Sequence, residues 1–64
     1  MENKIQFQRI YQNKANGMYY RTVGYALSPV DNKRIIIYRK VGLEGTPYYR
    51  EEEEFLYLFR YIGA

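Results

Sequence analysis

The chain has 64 residues with 19% aromatic content, 9 Tyr among them, and a formal net charge of +3. It has no Cys and no His, which excludes disulfides and a Cys/His zinc site. A domain this small buries only about 60% of its unfolded surface, so with no covalent or metal staple its stability must come from an aromatic core or from a partner.

The pattern along the chain is short β-prone runs broken by Gly, Pro and Asn. Ile5 to Tyr11 alternates Ile5, Phe7, Arg9 and Tyr11 with Gln6, Gln8 and Ile10, a period that predicts a half-buried strand. Asn13 to Gly17 reads as a turn, because Asn and Gly tolerate positive φ. Met18 to Ser28 is rich in Tyr, Thr and Val and predicts a second strand. Gly24 lies inside it and marks a bulge or bend. Pro29-Val30-Asp31-Asn32 is a turn signal.

Lys33 to Val41 predicts the third strand. Its centre, Ile35-Ile36-Ile37-Tyr38, is apolar on both faces. That suggests a central strand covered by the core on one side and by something else on the other. Gly42 to Pro47 reads as a loop, and Tyr48-Tyr49-Arg50 as a short fourth strand beginning after Pro47. The C-terminal stretch fits two patterns. Phe55, Leu58, Phe59 and Ile62 have helical spacing, whereas Phe55, Tyr57, Phe59 and Tyr61 alternate as a strand would. The high Tyr and Phe content favours one short helical turn at 51–54 and a strand over 55–62. The expectation is a single domain over 1–64, mainly all-β, with five strands. Its size and rhythm suggest a small SH3-like barrel or a strongly bent antiparallel sheet.

A resemblance supports that class. Tyr19-Tyr20-Arg21-Thr22-Val23-Gly24-Tyr25-Ala26, then Ile36-Ile37-Tyr38-Arg39, a Gly-bearing loop, Tyr48-Tyr49-Arg50 and a closing Phe59-Arg60-Tyr61-Ile62-Gly63 follow one another. Over about residues 19–63 this resembles the small bacterial and phage family catalogued as domain of unknown function 1653. The family carries Trp where Tyr48 stands and Pro where Glu51 stands, and it has a His before its first Tyr that this chain lacks. The resemblance implies an SH3-like barrel and no reaction.

Nothing in the chain provides catalytic machinery. It lacks a His or Cys nucleophile–base pair, a nucleophile elbow and a phosphate loop, since Gly42-Leu43-Glu44-Gly45 is too short for one. Consecutive carboxylates at 51–54 point in different directions and rarely converge on one cation. No enzyme, cofactor or metal is therefore expected.

Two binding surfaces are expected instead. Residues 3–50 hold nine Lys/Arg against Asp31 and Glu44 before Glu51, Glu52, Glu53 and Glu54 follow in a row. Interleaved aromatic and basic residues make Tyr19, Arg21, Tyr25, Tyr38, Arg39, Tyr48, Tyr49 and Arg50 a candidate binding face for a partner protein, or alternatively for a nucleic acid or nucleotide. The surplus of apolar side chains makes Ile36, Phe55, Tyr57, Phe59 and Tyr61 candidates for self-association as a homodimer.

The leading reading is a non-catalytic binding module acting through protein–protein contacts. Its size and resemblance suit a phage or mobile-element accessory protein that inhibits a host factor. No apolar run approaches the ~20 residues of a membrane span, and Met1 to Gln8 lacks the apolar core of a secretory signal. The expected setting is cytoplasmic, with no membrane partner.

Overall fold

The computed structural model describes residues 5–42 and 45–63. The elements run β1 (Ile10–Asn13), β2 (Tyr19–Leu27), β3 (Arg34–Lys40), β4 (Tyr48–Glu51), α1 (Glu52–Leu58) and β5 (Phe59–Gly63). All five strands lie in one antiparallel sheet of order β4-β3-β2-β1-β5. β4 and β5 are its edges and do not pair, so the sheet is not closed into a barrel.

Turn chemistry sets the hairpins. Asn13 Oδ1 accepts from the Ala15 and Asn16 amides at 2.8 and 3.1 Å, and Asn16 Oδ1 accepts from Met18 N–H at 2.8 Å. Gly17, at φ +75°, then closes the β1–β2 turn in a conformation that strains any residue with a Cβ. Between β2 and β3, Asn32 sits at φ +62° and Asp31 Oδ1 accepts from Lys33 N–H at 3.2 Å. That bond, helped by Ser28, holds the Asp31 carboxyl below its usual range. Part of the expected Gly42–Pro47 loop, Leu43 and Glu44, lies outside the described residues.

The bulge expected at Gly24 is present. Thr22 faces Tyr38 and Gly24 faces Ile37, so Val23 is the extra residue on β2. One inserted residue exchanges the two faces of the strand. Tyr20 and Thr22 face the core before the bulge; Tyr25 and Leu27 share that face after it, opposite Ile36 and Arg34.

Two boundaries differ from the sequence reading. The first strand starts at Ile10 rather than Ile5, because Gln8 adopts φ +60° and breaks the extended run. The preceding segment still docks on β2: Thr22 Oγ1 donates to the Gln6 carbonyl at 2.6 Å, and Gln8 N–H donates to the Thr22 carbonyl at 2.7 Å. Its apolar alternation reflects that docking, with Ile5 buried and Phe7 stacked on Tyr25.

The second difference is the helix, which covers Glu52–Leu58 rather than 51–54 and pushes the last strand back to Phe59. A helix brings residues four apart into contact, and Phe55 and Phe59 stack at 4.2 Å between ring centroids and 8° between planes. A strand would hold them about 13 Å apart. The acidic first turn, Glu52, Glu53 and Glu54, suits the positive end of the helix. Glu52 lies 3.4 Å from Arg34 Nε, and Glu54 lies 3.1 Å from Arg50.

The core occupies the face of the sheet that α1 covers. Ile5, Tyr11, Tyr20, Ile36, Tyr38, Phe55 and Phe59 are buried there together with Thr22. The rings meet edge to face: Tyr11–Phe55 at 5.1 Å, Tyr38–Phe59 at 5.1 Å and Tyr20–Tyr38 at 5.4 Å. Such pairs contribute about 0.5–1.5 kcal/mol each beyond the area they bury.

This placement corrects part of the expected self-association set. Ile36 and Phe55 are 0% exposed and Phe59 is 4% exposed, so these three build the core and cannot meet a partner. Tyr57 and Tyr61 of that set are exposed. Among the described residues, no helix is long and apolar enough to cross a membrane.

Candidate functional site

Cross-strand partners share a face of a sheet and alternate along each strand. The register therefore divides the expected aromatic–basic set in two. Tyr19, Arg21, Arg39 and Tyr49 lie on the outer face, away from α1. Tyr25, Tyr38, Tyr48 and Arg50 lie on the core side. Tyr38 is buried, and Tyr25 is exposed with the Arg34 guanidinium over one face of its ring, Cζ lying 4.2 Å from the ring centroid. The eight residues therefore do not form one surface.

The outer face reads as rows across the sheet. Gly24, Ile37 and Tyr49 form one row, and Ala26, Ile35 and Glu51 the next. Arg21 faces Arg39, and continuing the register sets Pro47 beside Arg39. Ala26, Ile35, Ile37, Pro47 and Tyr49, with Tyr48 at the edge, line an apolar groove of about 360 Å³. Tyr49 is 72% exposed on the edge strand. The three consecutive isoleucines thus serve two surfaces: Ile36 the core, Ile35 and Ile37 the groove. The apolar character of both faces was visible in the sequence. The contributions of Ala26 and Pro47 were not, because they depend on the bulge and on the β3–β4 register.

A second concavity, of about 190 Å³, opens on the core side at the end of the β1–β2 hairpin. Tyr20, Tyr38 and Phe59 form its aromatic wall, with Tyr48 and Arg50 from β4 on one side and Asn13 and Asn16 from the turn on the other. Asn16 Nδ2 donates to the Tyr20 hydroxyl at 3.4 Å. Arg50 NH1 donates to Glu54 at 3.1 Å, while Arg50 Nε is shielded from solvent and donates to no described atom. Burial raises the Tyr38 hydroxyl above its usual pKa, and the adjacent Arg50 charge pulls the other way. Asn13, Asn16 and Tyr20 were not expected in a site. In the sequence the asparagines carry only a turn signal, and Tyr20 cannot be told from the neighbouring tyrosines.

The charges are sorted as well. On the core side, Arg34 faces Glu52 and Arg50 faces Glu54. On the outer face Arg21 is directly opposite Arg39, and neither forms an ion pair among the described residues. Arg39 donates instead to the Gly45 carbonyl. No group of three His, Cys, Asp or Glu among the described residues is arranged to hold a metal ion. No protein-family model matches the chain, and no curated protein or solved structure matches it either.

Proposed function

We propose that this chain is a non-catalytic, SH3-like binding module that self-associates, two copies pairing β4 to β4 about a twofold axis. The strand order, with β1 beside β5 and a helical link leading into β5, supports the SH3-like type. So does the resemblance to domain of unknown function 1653. The observation that carries the pairing is the outer face of the β4 edge: an apolar groove ending at an unpaired strand whose central residue, Tyr49, is 72% exposed. Natural edge strands are normally blunted, and one left open beside apolar surface is a template for another strand.

Charge complementarity selects a second copy as the occupant. In an antiparallel pair centred on Tyr49, the row Gly24–Ile37–Tyr49 continues into the same row of the second copy. Glu51 of each copy then falls beside Pro47 of the other, in line with Arg39 and Arg21. Two strand spacings, about 10 Å, separate Glu51 from Arg39 across Pro47, within reach of two long side chains. Centring on Arg50 would instead oppose two arginines, which costs energy.

Light scattering tests this reading. The protein is expected at twice its 7.8 kDa chain mass, and Tyr49→Lys is expected to return it to a folded monomer. A wild-type mass of one chain across the micromolar to millimolar range would overturn the reading, as would a dimer indifferent to Y49K.

The facing Arg21–Arg39 pair supports a second reading, in which the outer face binds single-stranded nucleic acid. Like charges directly opposite on a sheet repel, a phosphate between them would relieve that repulsion, and Tyr19 lies close by as a stacking surface. A gel shift at two salt concentrations discriminates. Under this reading affinity falls with salt and drops again in Arg21→Ala; a chain that shifts no oligonucleotide at low salt eliminates it.

A further inference from the structure

The core-side cavity at the β1–β2 turn carries an imbalance of hydrogen-bonding groups. The two carboxamide oxygens that line it are consumed: Asn13 Oδ1 accepts from Ala15 and Asn16 N–H, and Asn16 Oδ1 accepts from Met18 N–H. Those backbone donors fix which end of each amide is oxygen. Asn13 Nδ2 is therefore left as a donor with no partner among the described residues. The Tyr20 hydroxyl already accepts from Asn16 Nδ2, so its own proton is free to donate. The partly exposed Arg50 side chain lines the same cavity, and Tyr38 lies on the same wall with its hydroxyl beside the Arg50 charge. None of the lining residues is a carboxylate. Glu54 touches Arg50 from outside and occupies only NH1.

A cavity lined by hydroxyl and amide donors and one cation, with no carboxylate, is complementary to an oxyanion. Aromatic walls lower the local dielectric and strengthen such bonds.

We infer that this cavity binds a small oxyanion, a phosphate or carboxylate group, through the Arg50 guanidinium, the Tyr20 and Tyr38 hydroxyls and Asn13 Nδ2. It opens on the side of the sheet opposite the groove, and the inference does not depend on self-association.

The test is a titration of the full chain followed by amide NMR, with inorganic phosphate, acetate and adenosine monophosphate as probes and sodium chloride at matched ionic strength as control. Saturable shifts at Asn13 to Tyr20 and at Tyr48 to Arg50 are expected, with a dissociation constant on the order of millimolar. Arg50→Gln is expected to weaken binding about tenfold, the effect of one charge-assisted bond. Because R50Q also releases Glu54, Tyr38→Phe serves as a second variant: it keeps the ring, removes one donor and is expected to weaken binding roughly threefold.

Equal affinity for phosphate and adenosine monophosphate assigns the site to a free anion. Nucleotide binding about tenfold tighter assigns it to a phosphate carried on a base that the rings contact. Shifts reproduced by chloride alone, binding of none of the three probes, or binding unchanged in both variants would each overturn the inference.

Discussion

At the residue scale, stability rests on a few buried groups that each satisfy a specific demand. Thr22 is fully buried, and its hydroxyl donates to the Gln6 carbonyl at 2.6 Å. Thr22→Val keeps the shape and removes the donor, so urea denaturation is expected to show a loss of about 1–3 kcal/mol. Thr22→Ser retains the bond and should lose less; equal losses in the two variants would show that packing dominates. Tyr38 supplies a pH dependence. Burial raises its folded pKa above the unfolded value near about 10. The neutral hydroxyl is thus favoured in the native state, and the associated stability is present below the unfolded pKa and lost as pH rises through the folded one. Alkaline unfolding above roughly pH 10 is expected to be steeper in the wild type than in Tyr38→Phe. Identical alkaline limbs would remove Tyr38 as the cause. At this scale the sequence was informative about residue type but not about direction: nothing local distinguishes Tyr20, which is buried, from Tyr19 beside it, which is exposed.

At the element scale, the middle of the chain was legible and its ends were not. β2 and β3 lie within a residue or so of the expected strands, because β-branched and aromatic runs bounded by turn residues leave little choice. The bulge followed from one glycine. The C-terminal segment carried both periodicities, and the choice between them was made by a tertiary event, the stacking of Phe55 on Phe59 within the core. Phe55→Ala is accordingly expected to cost about 3–5 kcal/mol, enough to unfold a domain this small, with loss of native circular dichroism as the readout. The Arg50–Glu54 pair tying the helix to β4 is exposed, so Glu54→Gln should change stability by no more than about 1 kcal/mol. A larger effect would mean that Arg50 depends on Glu54 for its position.

At the scale of the whole molecule, the fold buries five rings on one side, Tyr11, Tyr20, Tyr38, Phe55 and Phe59, and leaves an apolar strip on the other. The sequence carried the surplus of apolar side chains but not their location, which is why Ile36, Phe55 and Phe59 were expected at an interface although they lie in the core, whereas Ile35, Ile37 and Tyr49 form the apolar strip on the outer face. For the proposed pairing, Glu51→Lys is expected to raise the dimer dissociation constant about tenfold by replacing attraction with repulsion, measured by sedimentation equilibrium. The buried ring cluster also has an optical and magnetic consequence. The chain has no Trp, so its near-ultraviolet signal comes from tyrosines and phenylalanines alone. Tyr11, Tyr20 and Tyr38 are held edge-on to one another or to Phe55 and Phe59, and rings fixed in a chiral array give strong dichroism that free rings do not. The methyl groups of Thr22 and Ile36 are buried beside these rings, so ring-current-shifted methyl resonances are expected to report native packing without any label.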